Sequence, residues 1–239
     1  MPRSKKKPSA TPPTGGSPKR ARAARLTGLR SPQRDPSLVE VEIDGEPVGS
    51  VLRGSLDELR LVEGAPIGVA ARKRIDAAIE RARARGVALR MLARSDRSAA
   101  FIEQTLVERH GISADVARAT SADLAADGWQ DDRRFAELRS QRLFAERKAS
   151  RALVVATLVE EGVEESLADR TAARVARESD IRDDLSRAIA CAREARPAKG
   201  AKTAPSVREW RRIAAHLARR GYDEDTVATA LERVGMREA

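Results

Sequence analysis

The sequence predicts an all-α fold: an elongated, curved array of three-helix repeats with helix-turn-helix-like units, preceded by a small β-hairpin element and a disordered basic tail. Strong helix formers (Ala, Leu, Arg and Glu) dominate from Val69 onward. A helix–glycine–helix pattern recurs three times in that stretch. Because aromatic residues make up only 3% of the chain, the cores must consist mainly of small aliphatic side chains.

The predicted tail covers residues 1–36. Its first 34 residues contain ten basic side chains and no acidic one, which accounts for the whole formal net charge of +10. A segment so poor in large apolar groups cannot offset its ordering entropy, so we expect disorder. Two roles stay open, a solubilising tail and a phosphate-binding arm. Since the rest of the chain is neutral, nucleic-acid binding by the body would need local basic patches.

Residues 37–68 are predicted to form a β-hairpin and a short helix. Val39, Val41 and Ile43 alternate with acidic residues, which indicates a half-buried strand. Asp44-Gly45 is a strong signal for a two-residue hairpin turn. Pro47 places the returning strand at a sheet edge, because proline cannot donate a ladder hydrogen bond.

Three related segments define the repeats: LVERHGISADV, LVEEGVEESL and LARRGYDEDTV. In each, glycine takes the left-handed position after a helix, and the next residue folds back onto the helix end. The predicted boundaries are residues 69–129 for repeat 1, 130–178 for repeat 2 and 179–239 for repeat 3. A polar loop, residues 196–206, is inserted in the third repeat.

No catalytic, metal or cofactor site is predicted, and the protein is not expected to be an enzyme. Asp131 and Asp132 are expected to cap a helix start. The two histidines, His110 and His216, fall in different repeats, and no phosphate-binding loop, zinc spacing or nucleophile motif is present. A metal-dependent nuclease therefore stays an unsupported alternative.

Several residues are candidates for the helical cores. We expect Trp129 and Phe135 to be buried in a repeat core, with Leu138 and Leu143 beside them, and Cys191 to be a small buried apolar group. One cysteine excludes an intramolecular disulfide, and no run approaches the roughly 18 apolar residues of a membrane helix. We therefore expect a cytoplasmic protein.

The basic residues carry the stronger functional signal. Two clusters are the candidate partner- or DNA-binding residues. They are Arg133, Arg134, Arg139, Arg142, Arg147, Lys148 and Arg151, and Arg208, Arg211, Arg212, Arg219 and Arg220. Residues 160–184, by contrast, carry nine acids against four arginines. Solvated helix faces are one explanation of this segregation, and surfaces for an acidic partner are the other.

Three stretches in order resemble the RecX family of regulatory proteins. DGWQDDRRFAELRSQR is similar to the segment that opens the second repeat of that family. ALRMLARSDRSAAFIEQTL resembles its first repeat, and ARRGYDEDTVATAL resembles its last. The resemblance covers roughly residues 38–236 and leaves the tail outside. One departure is AERKAS at 145–150, where family members often carry glycine.

This resemblance implies a curved array of three-helix repeats that modulates the RecA recombinase in DNA repair and recombination. It implies binding in the groove of the RecA filament on single-stranded DNA, with inhibition of recombinase and ATPase activities. The expected partners are that filament and single-stranded DNA, with weaker binding to duplex DNA. The protein is expected to be a monomer that needs no cofactor and does not contact a membrane. The alternative is a direct DNA-binding module of the helix-turn-helix type, although acidic residues in its second helix would repel the major groove.

Overall fold

The computed structural model describes residues 23–33, 35–178, 183–196 and 206–236. The chain divides into two compact units, residues 1–76 and 77–239. The first unit is built on a sheet, and the second consists of helices. Within the described residues, no helix is long and apolar enough to cross a membrane.

The N-terminal unit contains a four-stranded antiparallel sheet in the order β3-β2-β1-β4. Its strands are β1 (Ala24–Arg30), β2 (Leu38–Ile43), β3 (Glu46–Leu52) and β4 (Pro66–Ile67). A 3-10 turn and the short helix α1 (Leu56–Leu59) follow β3. The predicted hairpin is confirmed: Asp44 and Gly45 have φ of 52° and 86°, and Pro47 lies in the edge strand β3.

Strand β1 corrects the prediction that residues 1–36 are disordered, which was wrong for Ala24–Arg30. The free edge of β2 offers unpaired backbone groups that another strand can satisfy, and β1 pairs along it from Leu26 to Arg30. Leu26 is fully buried. The prediction of disorder rested on the polar composition of residues 1–36 as a whole, which did not reveal this single apolar contact. Residues 1–22 lie outside the described residues.

Nine helices follow in the described part of the chain. Helices α2, α3 and α4 span Val69–Leu92, Ala99–His110 and Ala114–Ala126. Helices α5, α6 and α7 span Asp132–Arg147, Arg151–Glu160 and Glu165–Glu178. Helices α8, α9 and α10 span Asp184–Ala195, Val207–Ala218 and Glu224–Arg233. Most of the loop predicted at 196–206 lies outside the described residues.

Each set of three helices encloses its own apolar core. The core of α2–α4 centres on Ile102, Leu106 and Leu124. The core of α5–α7 includes Phe135, Leu143, Phe144 and Leu158, and that of α8–α10 includes Cys191, Ile213, Leu217 and Leu231. We call these sets repeats 1, 2 and 3. Three helical repeats with a small N-terminal strand element confirm the predicted fold class.

The glycine turns close each repeat as predicted. Gly111, Gly162 and Gly221 all have φ between 63° and 88°, where a side chain is strained. The residue after each glycine donates its backbone N–H to a carbonyl of the preceding helix end. These residues, Ile112, Val163 and Tyr222, are at most 5% exposed.

Two of these turns also join neighbouring repeats. The Ser98 hydroxyl, at the start of α3, donates to the Glu161 carbonyl in the turn of repeat 2. The Ser150 hydroxyl, at the start of α6, donates to the Gly221 carbonyl at 2.6 Å in the turn of repeat 3. Each serine also caps its own helix by accepting a backbone N–H. The same joint therefore occurs twice.

Aspartates complete both joints. The Asp132 carboxylate accepts the backbone N–H of Ala99 at 2.9 Å, at the start of α3 in the preceding repeat. The Asp184 carboxylate accepts the N–H of Arg151 at 3.3 Å, at the start of α6. A carboxylate beside these exposed amides complements the positive end of each helix. Repeats 2 and 3 thus each supply a carboxylate to a helix start of the preceding repeat.

Two of the predicted core residues are wrong. Trp129 is 56% exposed and Leu138 is 45% exposed, whereas Phe135, Leu143 and Cys191 are buried as predicted. Trp129 lies in the turn between α4 and α5, and its neighbour Gln130 occupies the buried position instead. Leu138 lies on the outer face of α5, so apolar character alone did not identify the inward face.

Candidate nucleic-acid interface

The second predicted basic cluster forms one exposed face of α9, which we call the α9 basic face. It consists of Arg208, Arg211 and Arg212 of α9 and of Arg219 directly after the helix end, with Ala215 between them, and all are exposed. At 100° per residue these positions span an arc of about 100° on a helix. The opposite side of α9 buries Ile213 and Leu217 in the core of repeat 3, which fixes the basic side outward.

No carboxylate neutralises the α9 basic face within the described residues. Glu209, the one acid in this helix, is half-buried. One of the four guanidinium groups has a backbone partner, because Arg212 donates to the Ala195 carbonyl at 2.9 Å. The face is therefore open to a multiply charged anion.

The positive charge of this region acts on the neighbouring imidazole of His216. Burial, together with the charges of Arg220, Arg219 and Arg212, lowers the pKa of His216. Arg220 contacts His216 directly, with 3.1 Å between its guanidinium and the imidazole Nδ1. Arg220 is half-buried and lies off the α9 basic face, so the predicted cluster separates into four facing residues and one supporting residue.

The first predicted cluster does not form one free surface. Arg134 bonds to the Asp96 carboxylate at 2.8 Å and to the Trp129 carbonyl at 2.9 Å. The guanidinium of Arg139 makes contacts of 2.5 to 3.0 Å with both carboxylate oxygens of Glu161. Both arginines hold loops and helix ends in place.

Two further members of that cluster bridge helices. Arg151 pairs with Asp169 at 2.7 Å, between α6 and α7 of repeat 2. Lys148 pairs with Glu194 across repeats 2 and 3. These pairs are half to largely exposed, so each contributes little to stability, but their charges are already matched.

Two members of the first cluster remain available. Arg142 is exposed and approaches Glu146 only to 3.9 Å. Arg133 is exposed and has no ion pair within the described residues. The side chain of Arg147 lies outside the described residues.

The paired aspartates at the start of α5 have structural roles. Asp131 accepts the backbone N–H groups of Arg133 and Arg134, which confirms the predicted cap. Asp132 caps α3 of repeat 1 rather than its own helix. Within the residues that the structure describes, no group of three or more potential ligands could hold a metal. Burial also raises the pKa of the Cys191 thiol, which disfavours a nucleophilic thiolate.

Sequence reasoning missed a basic face on α7. The stretch 160–184 contains an excess of acids, yet Arg170, Arg174 and Arg177 share one side of α7, at the spacing i, i+4 and i+7. The acids have other roles, because Glu164 caps α7 and Asp169 pairs with Arg151. Helical spacing of the arginines was the signal that a linear count overlooked.

Comparison with known proteins identifies the fold. No protein-family model and no curated protein sequence matches the chain. The chain is similar to the crystal structure of a regulatory protein RecX, with a TM-score of 0.65 and 16% identity over 89% of this chain and 98% of that one. It is also similar to RecX from Lactobacillus salivarius, with a TM-score of 0.52 and 13% identity over 65% of this chain and 97% of that one. The chain therefore has the fold of the RecX regulatory proteins.

Proposed function

We propose that this protein is a regulatory protein that binds the RecA recombinase filament on single-stranded DNA and inhibits its ATPase and strand-exchange activities. The RecX fold supports the class of function, a regulatory protein. A fold alone does not fix the activity, so the site must carry the rest of the argument. The observation that carries the site is the α9 basic face, four exposed guanidinium groups with no carboxylate among them in the described residues. In this proposal the protein acts in the cytoplasm as a monomer and has no catalytic role.

The α9 basic face would contact the phosphates of DNA held in the filament. Guanidinium groups bind phosphate through paired hydrogen bonds, and each contact releases condensed counterions. Such contacts position a protein on nucleic acid without reading its sequence. Binding should therefore be independent of sequence and strongly dependent on salt.

Charge reversal tests this site. We expect Arg208→Glu, Arg211→Glu and Arg219→Glu together to weaken inhibition of RecA ATPase on single-stranded DNA by about 100-fold, from the loss of three phosphate contacts. A matched control reverses Arg81, Arg83 and Arg109, three exposed arginines of repeat 1, and makes the same change in net charge. Equal inhibition by both variants would show that the α9 basic face is not the binding surface.

The N-terminal segment is a second, weaker contributor in this proposal. Residues 1–22 carry seven basic side chains, whereas Ala24–Arg30 belongs to the sheet. A truncation should therefore end at residue 22. We expect it to reduce the salt dependence of binding to single-stranded DNA and to leave the melting temperature unchanged. An unchanged salt dependence would assign the segment no part in binding.

The alternative is a direct DNA-binding module that uses α7 as a recognition helix. The arginine face of α7 favours this alternative more than the sequence suggested. The acidic residues of this helix were expected to repel the DNA major groove, but one side of the helix presents arginines instead. Such a module should prefer one duplex sequence over another at fixed salt. Competition between unrelated duplexes and single strands, with RecA absent, separates the two functions.

A further inference from the structure

Repeat 2 contains a basic groove between the start of α5 and one side of α7. Its volume is about 510 Å³. It is lined by Arg133 of α5, by Arg170, Arg174 and Arg177 of α7, and by the carboxylate of Asp169. Four guanidinium groups and one carboxylate thus face the same small space.

The acids near this groove leave most of its positive charge unmatched. Asp169 pairs with Arg151 outside the groove at 2.7 Å. Arg174 pairs with Glu137 at 2.8 Å and with Glu178 at 2.7 Å. Three lining arginines, Arg133, Arg170 and Arg177, have no ion pair within the described residues, and of these only the guanidinium of Arg170 makes a hydrogen bond there, to a serine hydroxyl.

The corresponding helix of repeat 1 lacks these arginines. The glycine turns align α7 with α4 of repeat 1, and Ala168 of α7 then matches Ala117 of α4, both fully buried. In this alignment Arg170, Arg174 and Arg177 correspond to Ala119, Asp123 and Ala126. Helix α4 thus builds the same packing with small or acidic residues, so the arginine set is a specific property of repeat 2.

Convergent positive charges repel each other, and a bound anion would remove that repulsion. Guanidinium groups present paired donors that match the oxygens of a phosphoryl group better than those of a small spherical anion. The two arms of the groove come from helices that share one core, so the donors are held at a fixed separation.

We propose that this groove is a phosphate-binding site, formed by Arg133 from α5 and by Arg170, Arg174 and Arg177 from α7. The ligand is a phosphoryl group, carried either by a nucleic-acid backbone or by a free phosphate compound. The site lies in repeat 2 and uses none of the residues of the α9 basic face. It stands independently of the inhibition of RecA.

The test uses the full-length chain, with inorganic pyrophosphate and a thymidine oligonucleotide as separate probes. We expect both Arg170→Gln with Arg177→Gln, and Arg133→Gln alone, to lower the affinity for at least one probe about tenfold, the effect of losing a charge-assisted hydrogen bond. The control replaces Arg81 and Arg83 with Gln. Isothermal titration calorimetry at fixed ionic strength gives the affinities.

The pattern of results identifies the source of the phosphate. Loss of pyrophosphate binding alone indicates a free phosphate ligand, and loss of oligonucleotide binding indicates a nucleic-acid backbone. If both variants bind both probes as the control does, the proposal is overturned. Melting curves give a second reading: the probe whose affinity falls should raise the melting temperature of the unmutated protein more than that of the double variant. An equal rise in both would also overturn the proposal.

Discussion

The first glycine turn of the helical unit and the two that follow it share one local structure and differ in their surroundings. A Cβ added at Gly111 would meet nothing within 4 Å. A Cβ added at Gly162 would lie 2.5 Å from the Ala100 Cβ, and one at Gly221 would lie 2.5 Å from the Leu153 Cβ. The same motif therefore ends a helix in all three repeats, but it also holds a neighbouring repeat in two of them.

This difference separates two reasons for glycine. The positive φ excludes other residues through local strain, which is common to all three turns. Close approach of a preceding helix excludes them through contact with a neighbour, which applies only to the second and third turns. Measured stabilities should resolve these two contributions.

The largest effect is expected for Gly221→Ala. The new Cβ would be strained by φ of 79° and would meet both Leu153 and Ser150, so we expect a loss of about 3–4 kcal/mol in the free energy of unfolding. Gly111→Ala is the matched control, with strain alone and a loss of about 1–2 kcal/mol. Urea denaturation gives both values, and equal losses would refute the joint.

A smaller loss is expected when the serine of the joint is changed. Ser150→Ala removes a helix cap and the bond to Gly221, for a loss of about 2–3 kcal/mol in unfolding free energy. Ser206→Ala removes only the cap of α9 and should cost about 1 kcal/mol. The joint has no energetic role if the two variants unfold at the same urea concentration.

The aspartate of the joint should contribute less again. Asp132→Ala removes bonds to the Ala99 amide and the Gln130 side chain, and we expect a loss of about 1–2 kcal/mol in unfolding free energy. Glu224→Ala, at the exposed start of α10, is the control and should cost less than about 0.5 kcal/mol. A loss no larger than that of the control would remove Asp132 from the joint.

The smallest expected effect is a dependence of stability on pH. The helices that start at the joints, α3 and α6, are capped by serine, whereas α8 and α10 are capped by aspartates, which titrate. Hydrogen bonds from Ser186 lower the pKa of Asp183 below its ordinary value of 3.8. Its contribution is therefore present at neutral pH and is lost as the pH falls through 3.8 to the folded pKa. We expect Asp183→Asn to lower the melting temperature at pH 7, and this loss to shrink as the pH falls below 3.8.

The control for this pH dependence is Ser206→Ala, whose hydroxyl does not titrate in this range. Its cost should stay constant between pH 7 and pH 2, measured by thermal unfolding. A cost of Asp183→Asn that is equally constant would contradict the charged cap.

The sequence predicted the helices well because their ends carry local signals. Glycine turns and acidic caps each act over three or four residues, so the sequence alone located the three glycine turns and the cap at the start of α5. The joints could not be predicted in the same way. Ser98 bonds to a residue 63 positions away and Ser150 to one 71 positions away, and no local pattern encodes such a contact.

The candidate site was only partly predictable for a related reason. A count of arginines along the chain does not show which carboxylates face them. Arg139 is matched by Glu161, in the turn that follows α6, whereas Arg211 has no ion pair in the described part of the chain. Conversely, the net charge of residues 160–184 is negative and does not reveal the arginine face of α7. Residues three or four positions apart share a helix face, so a face can be basic where the segment as a whole is acidic.

Repeat 2 carries both halves of the connection: Ser150, which donates to the turn of repeat 3, and its own turn at Glu161, whose carbonyl accepts from Ser98 of repeat 1. A tandem copy of residues 130–178 would therefore contain both the serine that donates to the next repeat and the turn that accepts from the previous one. Gene duplication could lengthen such a protein by whole modules without evolving a new interface, so length variation among proteins of this architecture should come in steps of about one repeat.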